Sequence, residues 1–179
     1  ENTALGYVAL QDNTTGVNNV ALGRAAIGNN IDGNSNSAVG HNALRLNTTG
    51  DNNVAVGISA LYNNTADNNT AVGGSALVAN TSGGYNTAVG YLSLDANTTV
   101  TRLTAIGYEA LGSNTTGSYS APGGWKALQS NTTGDANTAW GDGSMQFNTT
   151  GTQNTAGGQG AVAANTTANA ASIIHIFRR

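Results

Sequence analysis

The apolar positions of this chain recur at a fixed distance, and the period is too short for a pair of packed helices. Leu10, Ile27, Leu44, Leu61, Leu77, Leu94, Leu111, Leu128, Met145 and Val162 form one column. Each follows a small residue, Ala in most copies and Ser93 or Ser144 in two. A second apolar column runs Leu5, Leu22, Val39, Val56, Val72, Val89 and Ile106, then changes to Gly123, Trp140 and Gly157, so the last three repeats are built differently. A Gly always follows it: Gly6, Gly23, Gly40, Gly57, Gly73, Gly90, Gly107, Gly124, Gly141 and Gly158. Seven residues further on stands an Asn: Asn13, Asn30, Asn47, Asn64, Asn80, Asn97, Asn114, Asn131, Asn148 and Asn165. The step is 17 residues, apart from one of 16 after Asn64, in a turn. Self-similarity at one fixed period is the signature of a repeat architecture, and turns are where such a fold tolerates a change of length.

The unit is unsuited to a helix. A Gly in every copy costs roughly 1 kcal/mol against Ala in a helix, whereas Thr and Val suit strands. The spacing predicts a strand over Asn-Thr-Ala-Val-Gly, a second strand over the Ala-Leu pair, and a return turn at Asn-Thr-Thr-Gly-Asp-Asn. The fold class read from this is all-β: a parallel β-solenoid, or β-roll, of ten 17-residue coils over residues 1–170, with a short C-terminal strand in residues 171–179. Coils spaced by about 4.8 Å would make a rod of roughly 48 Å.

Each column carries an expectation. The Leu and Val columns are expected to point inward. The repeated Asn is expected at a corner, its amide bonding backbone groups and the next Asn as a ladder. The Gly belongs where the chain turns sharply or another backbone comes close. Ala4, Ala21, Ala38, Ala55, Ala71, Ala88, Ala105, Ala139 and Ala156 share one position with Pro122. Strand alternation would turn this column outward as a flat ribbon for another chain; a bent coil would keep it inside.

The stretches "NTALGYVALQDNTTG", "NTAVGYLSLDANTT" and "NSAVGHNALRLNTTGDNN" resemble the Asn-Thr-Ala-Val-Gly repeats of bacteriophage and viral tail fibres. They are also similar to the head repeats of trimeric autotransporter adhesins, whose repeat is shorter. The resemblance spans residues 2 to about 168. It implies a left-handed parallel β-roll, often trimeric, used for adhesion outside the cell, at a cell or virion surface. It brings no catalytic residues.

Composition narrows the classes further. Hydrophobic residues make up 39% and recur in register, which favours order. Only 8% of residues are charged and the net charge is −3, so there is no electrostatic footprint for nucleic acid. No apolar run is long enough to insert in a membrane as a helix. The absence of Cys removes disulfide and thiolate-metal chemistry. His41 sits at the variable position after the repeat Gly and reads as an exposed rung. The acids fall in different columns, with no pair expected on adjacent coils, so neither a glycosidase pair nor a calcium ladder is suggested. The expectation is a protein without catalysis, cofactor or metal.

Two surface features carry candidate chemistry. Tyr91, Tyr108 and Trp125 share one position on three consecutive repeats. They would form an aromatic stripe that either binds the sugar rings of surface glycans or only stabilises the rod. Asn13, Asn47, Asn80, Asn97, Asn114, Asn131, Asn148 and Asn165 each begin an Asn-x-Ser/Thr triplet. They are either a column of N-glycosylation sites or good turn chemistry. Thr3, Thr70, Thr87, Thr138 and Thr155 also share a position, but Val20, Val54 and Ala121 interrupt it, too many gaps for a hydroxyl lattice that would match ice.

The C-terminal segment "ASIIHIFRR" is strongly β-prone. Ile173, Ile174, Ile176 and Phe177 are expected either to cap the last coil or to add a strand to a neighbouring copy. With a first coil already in consensus register, this predicts head-to-tail self-association. The functional expectation is an extracellular structural fibre; the alternative is an adhesin or tail-fibre module recognising glycans through the aromatic stripe.

Overall fold

The computed structural model describes residues 1–170 and the backbone of 172–174. It is a parallel β-solenoid. Eleven three-residue strands lie in sequence order in one sheet: β1 (Thr3–Leu5), β2 (Val20–Leu22), β3 (Ser37–Val39), β4 (Val54–Val56), β5 (Thr70–Val72), β6 (Thr87–Val89), β7 (Thr104–Ile106), β8 (Ala121–Gly123), β9 (Thr138–Trp140), β10 (Thr155–Gly157) and β11 (Ser172–Ile174). Register never slips: Ala4 faces Ala21, Ala38 faces Ala55, and Val54 faces Thr70 across the 16-residue step. The missing residue comes out of the return turn. The Asn64 amide donates to the carbonyl of Ala66, two residues on, where Asn30 and Asn47 reach a Gly three residues on.

Two expectations are corrected. Each coil has one strand, and the Ala-Leu stretch is a pair of turns. The residues two and four after the repeat Gly have positive φ in coil after coil, as at Val8 and Leu10 (54° and 50°) or Ser59 and Leu61 (56° and 52°). A left-handed residue with a Cβ costs about 1–2 kcal/mol; the buried Leu offsets this, since full burial of such a side chain contributes about 1.5–3 kcal/mol. Backbone bonds still run from coil to coil through these turns, for example Leu10 N–H to Ala26 O and Leu44 N–H to Ala60 O.

The facing of the strand is also the reverse of the simple expectation. The Ala column is interior: Ala21, Ala38, Ala55, Ala71, Ala88, Ala105 and Ala139 are fully buried. The column before the Gly faces outward, with Val39 41% and Ile106 39% exposed. The reason is volume. The Leu column and its preceding Ala or Ser already fill a coil of only 17 residues, and the opposing strand has room for a methyl group. The core is therefore Ala against Leu, plus Asn.

The repeat Gly meets both of its expected demands. At Gly23 φ is 136°, and a Cβ there would stand 2.6 Å from the carbonyl oxygen of Gly40 on the next coil. No other residue closes this corner.

β11 pairs in parallel with β10, placing Ile173 opposite Ala156 and Ile174 opposite Gly157. These two residues thus extend the sheet by one rung. Ile176 and Phe177 lie outside the described residues.

Candidate functional site

Two Asn ladders run through the interior. The first is the expected one. Asn30 Nδ2 donates to Asn13 Oδ1 at 2.7 Å, Asn80 to Asn64 at 2.7 Å, Asn97 to Asn80 at 2.9 Å and Asn148 to Asn131 at 2.8 Å. The second was not read from the sequence as a column: Asn2, Asn19, Asn36, Asn53, Asn69, Asn86, Asn137 and Asn154, with Leu103 and Ser120 in the two remaining places. From Asn2 to Asn137 each Oδ1 accepts the backbone N–H of the equivalent residue one coil on, as in Asn36 N–H to Asn19 Oδ1 at 2.9 Å. Each Nδ2 reaches a turn carbonyl, as in Asn36 to Gly50 O at 2.8 Å. The signal was present, since an Asn precedes the Thr-Ala-Val stretch in eight of ten repeats. Burying an amide unpaired would cost about 1–3 kcal/mol, so a fully buried polar column persists because its bonds are met.

The ladder bears directly on the triplet column. Asn47, Asn80, Asn97, Asn114, Asn131 and Asn148 are fully buried, and their Nδ2 atoms are hydrogen-bonded. A glycan on any of them would take the amide out of the core and keep the coil from closing. Asn13 and Asn165 are only partly buried. The turn-chemistry reading accounts for the triplets: in most coils the Thr after the Asn sends its hydroxyl to a carbonyl one coil on, as Thr132 does to Thr149 O at 3.1 Å.

The aromatic residues do stack. Tyr91 and Tyr108 have ring centroids 5.7 Å apart with planes at 20°, and Tyr108 and Trp125 are 6.3 Å apart at 14°. Gly74, one coil earlier in the same column, leaves its side-chain space to the Tyr91 ring. Lys126 Nζ sits 4.7 Å from the Trp125 ring centroid. Tyr108 is thus stacked on both sides, and Trp125 carries Tyr108 and the Lys126 ammonium against its ring, whereas a sugar needs a free ring face. This geometry supports the stabilising role.

Polar groups gather beside the stack. Lys126 forms an ion pair with Glu109 at 3.5 Å. Gln129 donates a hydrogen bond to Glu109, and Gln146 donates to Gln129 at 3.0 Å. Gly112 leaves a gap in this column, and the Asp95 carboxylate leans into it. Partial burial holds the Asp95 carboxyl above its ordinary value; bonds to its own and the next backbone N–H oppose this, and the charge on Glu109 adds to the rise. A hydrogen bond to Glu109 raises the Tyr108 phenol.

The acids are not all unstacked. Asp51 and Asp67 occupy equivalent places across the short step, and Asp51 N–H donates to Asp67 Oδ1 at 2.8 Å. The one-residue deletion hid this pair from a 17-residue alignment. Each side chain caps the turn before it, as Asp51 does for Asn34. Among the described residues no three His, Cys, Asp or Glu side chains converge as metal ligands. Among the described residues no helix is long and apolar enough to cross a membrane. His41 is exposed, 3.3 Å from Arg24 on the preceding coil.

The geometry defines a β-solenoid repeat protein. Compared with known proteins, the chain matches no family model, no curated protein and no solved structure. Its function is therefore argued from its own residues.

Proposed function

We propose that this chain is a structural rod without catalytic activity, part of an extracellular fibre at a cell or virion surface, and that it associates end to end with copies of itself. The observation that carries the reading is the unbroken register of the sheet: each strand pairs with its equivalent one coil along, from β1 to β11. Outside the β7–β8 step, coil after coil offers the next the same donors, acceptors and Ala-Leu core, so the rule that joins coil to coil also joins copy to copy. Most backbone hydrogen bonds between turns run from one coil to the next along one axis, as suits an element that spans distance.

Negative-stain electron microscopy of the purified chain tests this. Filaments many times longer than a single rod of roughly 48 Å are expected, and deletion of residues 171–179 should shorten or abolish them. Single short rods at every protein concentration would overturn self-association. The glycan reading has its own check: glycan-array binding lost on Trp125→Ala would replace the structural role with recognition.

A further inference from the structure

We propose that the outward face of strands β3–β7 is an ice-binding surface. Because the Ala column points inward, the face carries two columns in place of one. The first is Ser37, Val54, Thr70, Thr87 and Thr104; the second is Val39, Val56, Val72, Val89 and Ile106. Nine of these ten positions are β-branched and none is charged. All ten are exposed or partly exposed, while the Ala between them is buried on every rung. Val54, which read as a gap in a column of hydroxyls, is no gap here: it presents methyl groups in the same plane as its neighbours.

The chemistry fits solid water. Strands stack at about 4.8 Å, and residues two apart along a strand lie about 6.6 Å apart. The two spacings lie near the oxygen repeats of a prism face of hexagonal ice. Methyl groups make no hydrogen bond, so first-shell water over them bonds to other water and is orientationally restricted. The hydroxyls of Thr70, Thr87 and Thr104 anchor that layer at fixed intervals. β-branched side chains are stiff at χ1, and the parallel register holds each column straight, so the grid is set before ice arrives.

Size argues against a protein occupant. Five rungs of three residues cover roughly 24 Å by 10 Å, or about 240 Å², well under the ~800 Å² per partner of a stable interface. The grid also has a defined end. On β8 and β9 the column passes to Gly123 and Trp140, and the half-exposed Trp140 indole fills the side-chain space of Gly123 in place of a β-branched residue.

The test is thermal hysteresis and crystal shaping with the full chain, alongside partition of the protein into a slowly growing ice front. The wild-type chain is expected to facet ice crystals and to enter the ice. Thr87→Lys and Val72→Lys should each lower hysteresis at least five-fold with an unchanged thermal melt, whereas Thr133→Ala, on the return turn, should leave it unaltered. Round crystals with the wild-type chain excluded from the ice would overturn the proposal. Full activity in both Lys variants would also overturn it, as would sedimentation showing a wild-type dimer that Val72→Lys converts to monomer, which would assign the face to a second copy. Filament formation is scored separately, so failure here leaves the rod reading standing.

Discussion

Coils three to six and the junction between the seventh and eighth coils are built from the same repeat and held together differently. Across β3–β6 the strands pair residue for residue, and the Asn53–Asn69–Asn86 ladder is continuous at 2.9 Å per step. At β7–β8 only Ile106 and Gly123 remain in register. Pro122 has no N–H to donate, and the Thr104 N–H to Ser120 O distance is 3.4 Å where its counterparts are about 2.8 Å. Leu103 stands in the ladder in place of Asn, so this rung has no side-chain acceptor to offer the next. Outside, the same junction carries what the regular coils lack: the Tyr108–Trp125 stack, the Glu109–Lys126 pair and the Gln129–Glu109 bond. The lesson is that stacking strength moves from the core to the surface where the internal ladder fails. This gives the aromatic stripe a physical reason that requires no ligand.

The comparison is broken most forcefully by moving the defect. Asn86→Leu copies Leu103 into the regular stretch. It removes the acceptor for Leu103 N–H and one of the two donors to Val100 O, which keeps Asn97 Nδ2; the one orphaned buried group should lower stability by about 1–3 kcal/mol in denaturant unfolding. The converse, Leu103→Asn, should be neutral or gain up to about 1.5 kcal/mol, the net worth of a hydrogen bond. A loss as large as that of Asn86→Leu would show that the junction has its own optimum.

Trp125→Ala comes next in size. It removes one ring pair and one cation–π contact, about 0.5–1.5 and 0.5–1 kcal/mol. A loss of about 1–2.5 kcal/mol is expected, with hydrogen exchange accelerating first at the β7–β8 amides. Uniform acceleration along the rod would refute a local clamp.

Asp95→Asn should act least. Because the folded protein holds this carboxyl above its ordinary value of 3.8, the folded state binds the proton more tightly. The associated stability is present at low pH and lost as pH rises through the folded value. The variant should therefore melt slightly higher than wild type at pH 7, with the difference disappearing on acidification below pH 4. A difference independent of pH would exclude the titration.

Much of this structure was legible in the residues. The 17-residue period, the parallel stacking, the position of the deletion and the first Asn ladder followed from columns that any in-register fold must respect. The Asp51–Asp67 pair was missed because the deletion shifts it out of a 17-residue frame. The second Asn ladder was missed although its column is nearly complete, because an Asn beside a turn reads as local turn chemistry until a coil above it supplies the partner.

The sequence alone determined that there are coils, how long each is and which residues lie above one another, because periodicity is a property of the chain. Which way those residues point was decided only in three dimensions. An Ala-Val pair alternates whichever side is inside, and the choice of Ala rests on the space that the stacked column of seven Leu, one Ile, one Met and one Val leaves. The left-handed turns at Leu10 and its equivalents have the same origin: their local cost is offset only once the coil has closed on its core.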